Sequence, residues 1–274
     1  MKLFLALSIF GSAMSTIVRR SAGAVKMSFS GEESSFELDK ILAEITNGTV
    51  DDIEEEIRRN MGMVPAFGLA SRRTNEVIER KFRNLKILVL WLQREKLFGR
   101  YCYYGCHCLP EGTHNIARGG YGKPVDDLDA SCRRFGQCYQ CLIDEHKDDK
   151  FNINGVTECK GEEIGYQFEL LEDEYGNKSI QCMNKLGSCR RNICECDKQL
   201  AEGLYEHELS WDEKFHSRRS GFDRNDSCAL PASNPGVRFE ECCGSRTTFP
   251  FNEPKNNMQC CEGPLSLPNG QCSS

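Results

Sequence analysis

The stretch "DDLDASCRRFGQCYQC", Asp126 to Cys141, decides the reading of this chain. Leu128, Cys132, Phe135, Tyr139 and Leu142 recur at steps of three and four residues, which predicts one apolar face of a helix. Gly136 stands at the centre of that helix, where glycine costs about 1 kcal/mol relative to alanine. A helix that tolerates this cost raises the question of what Phe135 and Gly136 do there.

The chain has 274 residues, 17 of them cysteine. "MKLFLALSIFGSAMS" carries one lysine, an apolar run and then small residues, so residues 1–15 read as a signal peptide cleaved after Ser15. The run is too short to span a bilayer. A secreted, extracellular chain this rich in cysteine is expected to be cross-linked by disulfides rather than to hold metal through its thiols. The odd count leaves one thiol over, either reduced or bonded to another chain. Three sequons, at Asn47, Asn177 and Asn225, suit a glycoprotein on the same route.

The net charge of −6 is unevenly spread. Residues 31–58 contain ten Asp and Glu against two Lys and Arg, and residues 72–100 contain nine Lys and Arg against three Asp and Glu. This predicts two solvated helical faces of opposite sign, the acidic one also suited to cations or a mineral. The overall acidity argues against a nucleic-acid partner.

Residues 16–74 read as an acidic helical extension. "FELDKILAEI" puts Phe36, Leu38, Ile41, Leu42 and Ile45 near one face, and "DDIEEEIRRN" predicts a second short helix. Arg19-Arg20 and Arg72-Arg73 match the dibasic sites that processing proteases cut, but solvated surface pairs are the simpler reading of each. A longer helix is expected over Asn75 to Leu97. Eleven cysteines then fall between Cys102 and Cys196, and a helix over "NICECDKQLAEGLYEHEL" puts Ile193, Cys196, Leu200 and Leu204 on one face. Residues 228–274 hold six more cysteines and read as a small stapled module with little regular structure.

Four features belong together: "YGCHC" at Tyr104–Cys108; the Gly-rich "GGYGKPVDDLD" at Gly119–Asp129; the helix bearing Cys132 and Cys138; and the block Cys182, Cys189, Cys194, Cys196, Asp197. Together they resemble the secreted phospholipase A2 family over about Tyr101 to Tyr205. The resemblance implies a mainly α, disulfide-rich fold. Two long antiparallel cross-linked helices form a phospholipase A2-like domain over 75–227, flanked by the helical extension and the C-terminal module. It also implies the bonds Cys108–Cys132, Cys138–Cys196, Cys159–Cys189 and Cys182–Cys194, with Cys106 reaching toward Cys228. Cys102 and Cys141 are extra and could join each other. One family disulfide falls at Ser131 and Gly203, so both of its halves are missing.

In the family, a His-Asp pair on the first helix supplies the general base and the calcium carboxylate. Those positions are Phe135 and Gly136 here. Phenylalanine accepts no proton and glycine offers no oxygen, so the resemblance implies no catalytic residue and no metal ligand at the family positions. Tyr139 and Asp197 remain where the family orients its histidine, and are expected to bond each other between the helices. His146 lies eleven residues past Phe135, roughly 16 Å along a helix, beyond a base's reach. His107 would offer backbone to a calcium loop, and the loop after Cys108 is about eight residues longer than the family pattern. "KFNINGVTECKG" fails as a calcium loop because Lys150 and Gly161 occupy its end positions.

The expectation is a secreted, inactive, otoconin-like homologue that binds rather than hydrolyses, as an extracellular or biomineral matrix component. Its partners would be a mineral surface, matrix proteins or a phospholipid membrane, and it would need no cofactor. One alternative is a calcium-dependent phospholipase A2 acting on the sn-2 ester. Another is a lipid- or receptor-binding ligand whose basic helix around Trp91 docks on anionic membranes.

Overall fold

The computed structural model describes residues 17–21, 24–48, 83–109, 120–150, 153, 156–228, 242–252, 258–261 and 265–272. The expected signal peptide, the second acidic helix, the Arg72-Arg73 pair, residues 75–82, His114 and the inserted loop at 110–119 lie outside them.

Two helices form the centre. Helix α3 (Asp127–Glu145) begins at Asp126, whose carboxylate accepts from the Asp129 amide at 2.8 Å. Asp127 and Asp129 place negative charge in its first turn, where the exposed amides favour it. Helix α4 (Cys189–Glu206) is capped by Ser188, which accepts from the Arg191 amide. The two helices pack on each other and are joined by Cys138–Cys196. Leu128, Cys132, Phe135, Tyr139 and Leu142 of α3 are all buried, as are Ile193, Leu200 and Leu204 of α4.

The remaining bonds tie loops to this pair. Cys108–Cys132 anchors the segment before α3, Cys159–Cys189 and Cys182–Cys194 hold the chain that leads into α4, and Cys106–Cys228 returns the chain after α4. Cys102 and Cys141 do not join each other. Cys141 bonds Cys242 of the tail, and Cys102 stands outside the eight disulfides, fully buried in the core. A bond from Cys102 to another chain would first require that core to open. Gly203 faces Ser131: a Cβ built on Gly203 falls 3.0 Å from the Ser131 Cβ.

The N-terminal extension is not purely helical. Strands β1 (Ile17–Ser21) and β2 (Ala24–Phe29) pair antiparallel and continue onto β3 (Phe168–Glu172) and β4 (Lys178–Cys182), giving one sheet in the order β1-β2-β3-β4. Val25, Met27 and Phe29 alternate with Lys26 and Ser28, a period of two that suits a strand with one buried face. The register aligns Phe29 with Phe168 and Met27 with Leu170. The two phenylalanine rings stack with centroids 4.2 Å apart. Helix α1 (Ser35–Thr46) follows, with a capping box between Ser34 and Glu37 and Asn47 in the left-handed region at its end. Its Leu38, Ile41 and Leu42 enter the core, while Phe36 stays exposed.

Helix α2 is described over 83–92 and stops there rather than at Leu97. The Lys96 ammonium turns back onto the carbonyls of Leu90, Trp91 and Gln93, and the Glu208 carboxylate takes the amides of Arg94 and Glu95. Backbone groups that another helical turn would have satisfied are met by side chains. Among the described residues, no helix is long and apolar enough to cross a membrane.

The tail carries more regular structure than its composition suggests. After a single turn, α5 (Arg224–Ser227), it forms two hairpins: β5 (Cys243–Ser245) with β6 (Thr248–Asn252), and β7 (Met258–Cys260) with β8 (Ser266–Pro268). Cys243–Cys260 and Cys261–Cys272 staple it internally. Arg246 docks it on the end of α3, donating to the Glu145 carbonyl and to Asp149 at 2.7 Å.

The facing of Ser131 and Gly203 makes a prediction. The pair Ser131→Cys/Gly203→Cys should close one further disulfide, seen as an unchanged thiol titre and one more bond by mass. The Cβ atoms sit closer than the roughly 3.5–4.5 Å that a disulfide prefers, so the helices must part slightly. Cys138–Cys196 already joins them, so the expected gain in unfolding free energy is only about 1–2 kcal/mol, below the usual range.

Candidate functional site

The site is built on α3, where Phe135 and Gly136 are both buried at the helix centre. The Phe135 ring lies 4.6 Å from that of Tyr139, tilted by 53°. An apolar side chain therefore packs within the core at the position where the resemblance expects an imidazole.

Next to it lies a fully buried carboxylate, that of Asp197 on α4. Tyr139 Oη donates to its Oδ1 at 2.5 Å, and Tyr166 Oη donates to its Oδ2 at 2.5 Å. A carboxylate in an apolar core is costly unless its lone pairs are used, and here two phenols use them. Burial and the neighbouring Asp197 push both phenols well above their ordinary range. Tyr166 has no counterpart in the sequence reading. It lies between cysteine blocks in a segment without helical period, so no spacing pointed to it. Two glycines admit these rings and the chain beside them. A Cβ on Gly161 would fall 2.3 Å from the Tyr139 ring, and one on Gly31 would fall 2.5 Å from the Tyr166 carbonyl. Through Gly31 the N-terminal extension abuts the tyrosine that completes the network.

A second buried carboxylate, Asp129, organises the loop before α3. It accepts from the amides of Cys106 at 2.8 Å, His107 at 2.7 Å and Val125 at 3.1 Å. Gly105 is required beside it, because its φ is +55° and a Cβ would fall 2.4 Å from the Asp129 carboxyl carbon. Burial pushes Asp129 above the usual carboxylate range, against the pull of these amides. The Gly-rich loop is drawn in by its own chain. His107 Nε2 lies 3.0 Å from the Gly122 carbonyl, and Gly120 and Gly122 are packed directly on the Cys106 and Cys228 backbones.

Among the described residues, the other histidines have structural partners or lie at helix ends. His146 ends α3, with Nδ1 2.6 Å from Asp149 and Nε2 3.0 Å from the Asn192 amide. His216 is buried, and its Nδ1 accepts from the Arg218 amide. His207 follows the last turn of α4. Among the described residues, no group of three His, Cys, Asp or Glu side chains stands close enough to hold a metal ion. Of the three sequon asparagines, Asn177 is exposed on the β3–β4 turn, Asn225 lies in α5, and Asn47 caps α1.

The cross-linked helix pair, the loop locked by Asp129 and the Tyr–Asp–Tyr contact are consistent with a disulfide-rich phospholipase A2-like fold. The comparison with known sequences agrees. The chain is 30% identical over 107 residues, 39% of its length, to a basic phospholipase A2 beta-bungarotoxin A1 chain of Bungarus candidus, and this covers 61% of that relative. It is 31% identical over 107 residues to the A-AL2 chain of Bungarus multicinctus, covering 62% of it, and 31% identical to an acidic phospholipase A2 beta-bungarotoxin A chain of Bungarus candidus, covering 61%. The chain thus spans about three fifths of the relatives it matches. No family model matches the chain.

The buried phenols fix an alkaline limit. Their folded values lie above the ordinary tyrosine value of about 10, so they contribute stability below that pH. That stability is lost as the pH rises past it and the unfolded phenols ionise. Tyr139 and Tyr166 should stay un-ionised by difference absorbance until unfolding begins. Tyr166→Phe should lower stability by about 1–3 kcal/mol by leaving one oxygen of Asp197 short of a donor. Tyr139→Phe should do the same, with the pair non-additive because both act on one carboxylate.

Proposed function

We propose that this is a secreted, non-catalytic phospholipase A2-like protein that acts by binding, as an extracellular matrix component of calcium carbonate mineral. One observation carries the reading: Phe135 and Gly136 stand at the centre of α3, where the resemblance puts the general base and the calcium carboxylate. A missing general base alone is worth about 10²–10⁴ in rate, and here the group that would polarise the ester is replaced in the same step. The Asp197 carboxylate does not depend on an imidazole for its hydrogen bonds, because Tyr139 and Tyr166 supply them. The architecture is therefore compatible with the loss of the catalytic pair. The disulfides and the sequons suit life outside the cell. Exposed Glu32, Asp39 and Glu44 begin the acidic segment, with Asp39 bonded to Arg83 at 2.8 Å and Glu32 3.8 Å from Arg190, so meeting mineral cations would mean exchanging these pairs.

The names of the relatives favour a second reading, calcium-dependent hydrolysis of the sn-2 ester of phospholipids. Fatty-acid release from mixed phospholipid vesicles, with calcium and with chelator, separates the two. The native protein is expected to release nothing and to co-sediment with calcium carbonate crystals. Calcium-dependent release would select the second reading, with a base at a residue other than 135. Retention on neither crystals nor vesicles would sink the matrix reading.

A further inference from the structure

The sheet that the N-terminal hairpin extends carries a groove beside a sequon. The register places Lys26, Leu171 and Ser179 in one row across β2, β3 and β4. This is the face opposite the buried row of Met27, Leu170 and Ile180. At this end of the sheet lies an open groove of about 510 Å³, lined by Ala24, Val25, Lys26, Leu171, Asn177 and Ser179 among others. Asn177 and Ser179 are the first and third residues of a sequon, and both are exposed. Asn177 stands in the β3–β4 turn. Its amide nitrogen donates to Asp173 Oδ2 at 2.8 Å, and its backbone amide donates to Asp173 Oδ1. By contrast, the side-chain oxygen of Asn225 accepts from Tyr121 Oη, inside a helical turn three residues before Cys228.

We infer that Asn177 carries an N-linked glycan whose first sugars lie in this groove and cover β2 of the N-terminal hairpin. The donor is a polyprenyl diphosphate-linked oligosaccharide, met before the hairpin closes. The Asn177 Nδ2 forms a bond to the anomeric carbon, the bond from that carbon to the diphosphate oxygen breaks, and Nδ2 releases one proton. The amide keeps one hydrogen, with which Nδ2 can still donate to Asp173. Leu171 offers apolar surface to the sugar ring faces, and Lys26 and Ser179 offer donors to its hydroxyls. The groove is continuous with the attachment point, so no separate ligand is required.

The inference rests on the secretory reading, and its test keeps the two apart. The full chain is expressed in a glycosylating secretory host, and the disulfides are counted by mass. The Asn177 peptide is then read before and after amidase release of glycans. Hydrogen exchange of the Ala24–Phe29 amides is compared among the native protein, Asn177→Gln and Ser179→Ala. The second variant removes the sequon but keeps the bond to Asp173. The expected result is hexosamine on Asn177 that amidase converts to aspartate, with exchange in β2 severalfold faster in both variants, while Ser179→Thr behaves as native. An unmodified Asn177 in a fully oxidised protein overturns the glycan and leaves the secretory reading intact. A glycan on Asn177 whose removal leaves β2 exchange unchanged overturns its seating in the groove.

Discussion

A carboxyl group held inside an apolar core is the constraint on which this structure depends. Asp197 sits between α3 and α4 with no access to solvent, and the hydroxyls of Tyr139 and Tyr166 hold its two oxygens. The contact fixes how far apart the helices stand and how they are rotated, since a buried carboxylate short of donors costs far more than a mismatched apolar contact. Cys138–Cys196 clamps the same pair covalently. Asp129 repeats the device one level out, using the backbone amides of Cys106, His107 and Val125 to bring the Gly-rich loop against α3. With the helix pair held this way, Phe135 needs only to fill space beside Tyr139.

The flanking segments are extensions of that frame. β2 adds to β3, Phe29 stacks on Phe168, and Gly31 lies against the Tyr166 backbone. Met27 and Phe29 are therefore part of the packed core. The tail is bound at the other end of α3 by Cys141–Cys242 and by Arg246, whose guanidinium reaches the Glu145 carbonyl and Asp149. The His146 and Arg246 hydrogen bonds hold Asp149 below the usual carboxylate range.

Much of the frame is legible in the sequence because helices and cysteines leave short-range marks. The period of Leu128, Cys132, Phe135, Tyr139 and Leu142 repeats within one helix, and the spacing of Cys182, Cys189, Cys194 and Cys196 spans a single turn and helix. Strands β1 and β2 leave a weaker mark. They are short and carry Arg19, Arg20 and Lys26, and the partner that makes β2 a sheet strand lies some 140 residues away, as in the contact of Ser28 with Glu169. Tyr166 is hidden for the same reason, since its role exists only once Asp197 is brought to it. The pairing of Cys141 with Cys242 was not readable, because the connectivity of six tail cysteines is not determined by their order.

Calorimetric titration of calcium into the oxidised native protein tests the account most directly, with Phe135→His/Gly136→Asp run beside it. No saturable heat is expected from the α3 site of the native protein, since Gly136 offers no carboxylate where the resemblance puts the calcium ligand. Stoichiometric calcium binding by the native protein that a bulkier residue at Gly136 abolishes would contradict it.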